Sequence, residues 1–401
     1  MAPTPPQDRT ARRAAERAAV ARQRRLALLG AGAVALIAVG TVIALIAGSD
    51  GEPSPSPSPE AAAEPPACPP QVADDPRLLV GQQLVVRMES TASDDLRRRV
   101  RLGEIAGVIL FPAEGTDPQA LAGEIAKLHA AARAGEMPTP VVAIDQEGGE
   151  VERLPELPPD IPPAELASAG RGAAAAEGEA TGAALAELGI NVDLAPVLDV
   201  AETESSFIAS RAFGSEPGEV VSLGVAFGEG LQREGVAATA KHFPGLGLAA
   251  ANTDDEPSAI DATKSDLEAG LEPFRVAADA GFELIMAANA VYPAYDDRLP
   301  ASLSPKLIDG LLRTELGYEG VVITDDLGAG AITGAGFDEG EAAVASARAG
   351  VDLLLFALSS GEEAATTLTR SLRLGELDEQ SLIASCARVN ALREGLDRLG
   401  G

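Results

Sequence analysis

"GVVITDD", residues 320–326, is a short, continuously apolar run that ends in two aspartates. Unbroken apolarity over so few residues is the pattern of a strand buried on both faces. Six more runs share it: "AGVILFP" (106–112), "PVVAID" (140–145), "VDLAPVLDV" (192–200), "VAATAKHF" (236–243), "FELIMAANAV" (282–291) and "VDLLLFA" (351–357). Ala- and Leu-rich segments of helical period separate them, which predicts a parallel sheet with helices on both sides. Spacings of about 30–50 residues suit an α/β protein of the (β/α)8 TIM-type barrel class, with an eighth strand that is short or atypical. A doubly wound open sheet is the rival, since periodicity does not separate the two.

Polar residues collect where these runs end: Asp145, Asp199, Lys241 with His242, Asn289, and Asp325 with Asp326. In a barrel, those strand ends converge on one face and the following loops build the active site. Five strands ending this way point to a shared site.

The chain has 401 residues and a formal net charge of −30. Residues 1–50 run against this trend, with seven arginines and three acids, so the remainder is more acidic still. Such a body repels phosphate backbones, which argues against nucleic acid as a partner. Between Arg25 and Ser49 the sequence "LALLGAGAVALIAVGTVIALIAG" carries no charge, and as a helix it would reach roughly 34 Å, enough to cross a hydrocarbon core of about 30 Å. The arginines before it place residues 1–25 in the cytoplasm by the positive-inside rule. The expected organisation is a basic tail (1–25), a single transmembrane helix (26–48), a Pro/Ser-rich linker (49–73) and an extracytoplasmic barrel domain (74–401). A cleaved signal peptide is the competing reading of the apolar run. The two cysteines, Cys68 and Cys386, would form one disulfide joining the ends of that domain in an oxidising compartment, or stand as unrelated thiols. No metal or cofactor motif stands out, and a cofactor-free reaction is expected.

Five motifs occur in order: "IDQEGGEVERL" (144–154), "NVDLAPVLDV" (191–200), "SRAFGS" (210–215), "KHFPGLG" (241–247) and "GYEGVVITDDLGAGAI" (317–332). In sequence and spacing they resemble glycoside hydrolase family 3, and most closely its single-domain β-N-acetylglucosaminidases. The resemblance covers about residues 75–398. It implies a hydrolase of terminal β-linked N-acetylhexosamine on cell-wall or chitin-type glycans, working with retention. It assigns sugar binding to Asp145, Arg153, Arg211, Lys241 and His242, and the nucleophile to Asp325. A carboxylate at a strand end can attack an anomeric carbon and form a glycosyl ester. For Arg211 the competing reading is an ion pair with a barrel carboxylate, for Asp326 a turn or cap, and for His129 a surface or packing role.

One family feature is replaced. Where the resemblance calls for an Asp-Ser/Thr-His dyad with His as acid and base, the chain reads Asn252-Thr253-Asp254. In addition, Leu246 stands where the resemblance calls for a His before the second Gly of "KHFPGLG", and Glu150 in place of an Arg after "DQEGG" is a lesser departure. In one reading Asp254 supplies the proton, held by an amide hydrogen bond from Asn252, with two carboxylates about 5–5.5 Å apart. In a second, Asp255 or Glu256 swings in, and in a third the barrel binds glycan with little or no turnover. A desolvated Lys241 acting as a Schiff-base amine is the remaining reading, and β-glucosidase-type specificity is the alternative for the sugar.

Overall fold

The structure is a computed structural model and describes residues 67–201 and 206–399. Eight parallel strands form its centre: β1 (Leu84–Met88), β2 (Gly107–Leu110), β3 (Val141–Ile144), β4 (Val192–Asp193), β5 (Ala237–Phe243), β6 (Leu284–Ala287), β7 (Val321–Thr324) and β8 (Leu354–Phe356). Each pairs with its sequence neighbour, β1 pairs with β8, and a parallel bridge between Ile323 and Leu353 joins β7 to β8. The sheet therefore closes on itself, which selects the barrel over the open sheet.

The strand missing from the apolar count is β1, "LVVRM". Arg87 interrupts its apolar run, and its guanidinium reaches the Ala357 carbonyl at 3.0 Å while lying over the Phe111 ring.

Alternation along the strands builds two cores. Val85, Ile109, Val141, Ala143, Leu284, Met286, Val321 and Ile323 point inward, whereas Val86, Val108, Leu110, Val142, Ile144, Ile285 and Val322 face the helices. A helix follows each strand: α1 (Asp94–Leu102), α2 (Pro118–Ala134), α3 (Arg171–Glu187), α4 (Ala226–Arg233), α5 (Lys264–Asp279), α6 (Lys306–Glu315, π-type), α7 (Glu339–Ala349) and α8 (Glu362–Arg373). Their ends follow from local chemistry. Thr263 with Asp266 and Asp338 with Glu341 form reciprocal capping boxes at α5 and α7, and Ser93 caps α1.

A last helix, α9 (Glu379–Leu399), sends Val389, Leu392 and Leu396 into the inner core. Its Cys386 is bonded to Cys68 across 318 residues, so the expected pairing is present. Cys68 and Val72 are buried, and the packed body begins before residue 74, where the linker was expected to end. No helix among the described residues is long and apolar enough to cross a membrane. The expected span, 26–48, lies outside the described residues.

Candidate active site

The C-terminal ends of the strands surround a cleft of about 360 Å3. All eight residues expected to serve the site line it: Asp145, Arg153, Arg211, Lys241, His242, Asn252, Asp254 and Asp325. Phe111, Phe207, Leu246 and Leu358 add apolar surface, with Leu358 at 68% exposure.

One wall is a buried ionic network. Lys241, at 2% exposure, lies 2.9 Å from Asp145 and 2.6 Å from Glu147. Arg211 forks onto Glu147 through Nε and Nη2, both at 2.8 Å. Arg153 donates to Asp145 at 3.3 Å, and its guanidinium lies 4.6 Å from the Phe111 ring centroid, with Arg87 at 4.4 Å from the same ring. Burial pushes Glu147 up, but Lys241 and Arg211 overturn that and hold it at about 2. Asp145 is likewise driven up by burial and pulled net below its ordinary range by Lys241 and Arg153. For Lys241 burial favours the neutral amine, yet Asp145 and Glu147 raise its pKa overall. The two carboxylates in contact favour the charged amine, which argues against the Schiff-base reading.

Glu147 escaped the sequence reading although it stands inside "DQEGG". The signal was a carboxylate two residues beyond a strand-end Asp, on the short hairpin of Gln146–Gly148 and Val151–Glu152. Arg211 thus makes the ion pair with a barrel carboxylate that was its competing reading, and it also lines the cleft. Glu150, the departure from the family pattern, accepts from Ser210 at 2.8 Å and ties the hairpin to the "SRAFGS" loop.

A second wall is organised by Asp199. It accepts from the His242 and Leu246 amides at 3.3 and 2.6 Å, and its Oδ2 lies 2.7 Å from His242 Nδ1. A carboxylate only accepts, so Nδ1 carries the hydrogen and Nε2 is left for other partners.

Asp325 and Asp326 complete the floor. The Asp325 carboxylate accepts from the Asp326 amide at 2.8 Å. Burial raises its pKa; His242 and Lys241 oppose this, and the charge of Asp254 adds to it. Asp326 accepts from the Ala357 and Gly328 amides at 2.8 and 3.2 Å, the turn role expected of it, and burial lifts it to about 6. Asn289 donates to the Asp326 carbonyl at 2.7 Å and so braces this strand end.

The replaced dyad adopts a local turn. Asn252 Oδ1 accepts from the Asp254 amide at 3.2 Å, and its Nδ2 donates to Asp255 at 3.3 Å. The expected amide bond to the Asp254 carboxylate is therefore not made: the side chain of Asn252 closes an Asx-turn instead. Asp254 faces the cleft, whereas Asp255 and Glu256 are exposed and do not line it. His129 packs on the α2 side, with Nε2 3.0 Å from the Gly189 carbonyl, as expected of a packing residue.

Comparisons with known proteins agree with this geometry. Residues 78–392 match the family model described as the glycosyl hydrolase family 3 N-terminal domain. The chain is 36% identical over 346 residues to a secreted glycosyl hydrolase of Arthroderma benhamiae, covering 82% of this chain and 96% of that one. It is 38% identical over 240 residues to a β-hexosaminidase of Nitrosomonas eutropha, covering 57% and 68%. Among solved structures, a family 3 β-N-acetylglucosaminidase from a Paenibacillus species superposes with a TM-score of 0.76 at 32% identity, over 80% of this chain and 62% of that one.

Proposed function

The chain belongs to glycosyl hydrolase family 3, and on that premise we propose that it removes terminal β-linked N-acetylhexosamine from cell-wall-type glycans with retention of configuration. That it is a glycosidase acting on O-glycosyl bonds follows from its β-hexosaminidase relatives. The observation that carries the mechanism is that Asp325 and Asp254 line one cleft together with the Asp145–Lys241 ion pair.

In this reading Asp145, Arg153, Lys241 and His242 hold the sugar hydroxyls, with Arg211 keeping Glu147 and Lys241 in register. Asp325 attacks the anomeric carbon, and Asp254 gives its proton to the departing glycosidic oxygen. Water then cleaves the glycosyl ester while Asp254 takes a proton back. His242 and Lys241 favour the ionised Asp325 that attack requires.

A second reading has a specific observation in its favour. Among the described residues no hydrogen bond orients the Asp254 carboxylate, since Asn252 is spent on the turn. A donor so loosely held gives slow turnover of poor leaving groups, and at the limit a glycan-binding barrel.

We also place the barrel outside the cytoplasm, anchored by the apolar stretch 26–48. The disulfide and the secreted relative support the location, and the sequence pattern supports the anchor. Incubation with β-N-acetylglucosaminides and β-glucosides, with the product anomer read by NMR, tests the reaction. A β-configured N-acetylhexosamine product is expected. An α-product, or preference for the glucoside, contradicts the proposal.

A further inference from the structure

A groove of about 740 Å3, roughly twice the volume of the catalytic cleft, runs along the outside of the barrel between α1, α8 and the short helix Pro76–Gly81. Arg77, Arg98, Arg99, Arg370 and Arg373 line it, against Glu104 and Glu362. Five of the chain's 31 basic residues thus share one groove of a protein whose net charge is −30.

Their pairing is uneven. Arg98 is engaged by Asp95 and Glu104 at 3.1 and 2.7 Å, and Arg77 has only Asp75 at 3.9 Å. Arg99, buried at the floor, donates to the Ser360 carbonyl at 2.8 Å and has no carboxylate in contact. Arg370 and Arg373 are exposed, one turn apart at the end of α8, and form no ion pair among the described residues. Guanidinium forks match phosphate oxygens two at a time, and neighbours at i and i+3 on a helix sit close enough to share one such group. Leu374, at 66% exposure, closes the same end with apolar surface.

We propose that this groove binds a linear polymer bearing phosphate groups, with Arg370 and Arg373 as its principal contacts. The acidic remainder of the surface repels such a polymer, so engagement is confined to this groove. It lies on the helical exterior and shares no lining residue with the cleft, so a bound polymer leaves hydrolysis free to proceed.

Titration of the full chain with inorganic polyphosphate at physiological ionic strength tests the proposal, with phosphatidylglycerol vesicles as a parallel arm. The expected result is saturable polyphosphate binding. The Arg370→Gln/Arg373→Gln double variant should weaken it about tenfold or more and reduce the salt slope by about 2, one for each lost phosphate contact. Arg133→Gln, exposed on α2 and outside the groove lining, should leave it unchanged, and thermal unfolding should be the same for all three proteins. Absence of saturable binding, equal weakening by Arg133→Gln, or binding to vesicles without binding to polyphosphate overturns the proposal.

Discussion

The amide of Gly330 donates to the Asp254 carbonyl at 2.8 Å, and a Cβ placed on Gly330 would stand 2.0 Å from the carbonyl oxygen of Asp255. The Ala331 amide adds a second bond, to the Thr253 carbonyl at 3.0 Å. The loop that carries the proposed acid is thereby seated on the segment just after the proposed nucleophile, and the contact has no room for a side chain. Gly330→Ala should displace Asp254 while leaving Asp325 in place at the end of β7. Misplacement of a reacting group by about 1 Å costs on the order of 10²-fold in rate. Steady-state kinetics on a disaccharide should show that loss in kcat/KM, with a far smaller one on a nitrophenyl glycoside that needs little protonation.

Glu147 holds Lys241 and Arg211 together, and its removal leaves two cations buried without their shared partner. Glu147→Gln should cost about 3–5 kcal/mol in denaturant unfolding and raise KM as Lys241 loses its position. A variant as stable as the parent would show that Glu147 does not carry this wall.

Opposite pH trends follow from the two sets of carboxyls. Glu147 is held at about 2, so its contribution is complete above its unfolded value of 4.5 and is lost as pH falls toward 2. Asp326 sits at about 6, above its unfolded value of 3.8, so its protonated form favours the fold at low pH and that benefit disappears as pH rises through 6. Asp325 is raised in the same sense, and attack requires it ionised, so the acidic limb of kcat/KM should lie above pH 3.8. Asp326→Asn should flatten the loss of stability between pH 4 and pH 6 in thermal unfolding.

Phe111 lies within cation–π distance of both Arg87 and Arg153. Phe111→Ala should raise KM several-fold with a smaller change in kcat, since Arg153 would lose the ring that sets its plane. Equal effects on the two constants would place Phe111 in some other role.

Reduction of Cys68–Cys386, or Cys386→Ala, frees a loop of 318 residues and should lower stability by about 2–5 kcal/mol without changing the cleft. Chemical denaturation with and without reductant, at matched activity, measures it.

Much of this was legible in the sequence because barrel strands buried on both faces advertise themselves as apolar runs. "GVVITDD" and "PVVAID" became β7 and β3, and their terminal carboxylates face one cleft. Where a polar residue serves a tertiary contact, the pattern failed: Arg87 broke the run that became β1 in order to reach the Ala357 carbonyl. Glu147 was hidden for another reason, since its partners Lys241 and Arg211 lie 94 and 64 positions away and only barrel closure unites them. Asn252 was read as a clamp on Asp254, yet its short amide found backbone nearer at hand, as asparagine in turns often does. Two cysteines permit only one bridge, but whether they meet or stand as unrelated thiols was decided by the fold, which brings Cys68 against Cys386.

The central claim is that Asp254 has taken over the proton transfer of the missing histidine. Hydrolysis of an N-acetylhexosamine disaccharide and of its nitrophenyl counterpart by the parent, Asp254→Asn and Asp325→Asn tests it most directly. The account predicts that Asp325→Asn loses both activities, whereas Asp254→Asn loses the disaccharide by 10²–10⁴ and keeps much of the nitrophenyl turnover. A parent that binds the disaccharide without cleaving it, or an Asp254→Asn protein that cleaves it at the parental rate, would contradict the claim.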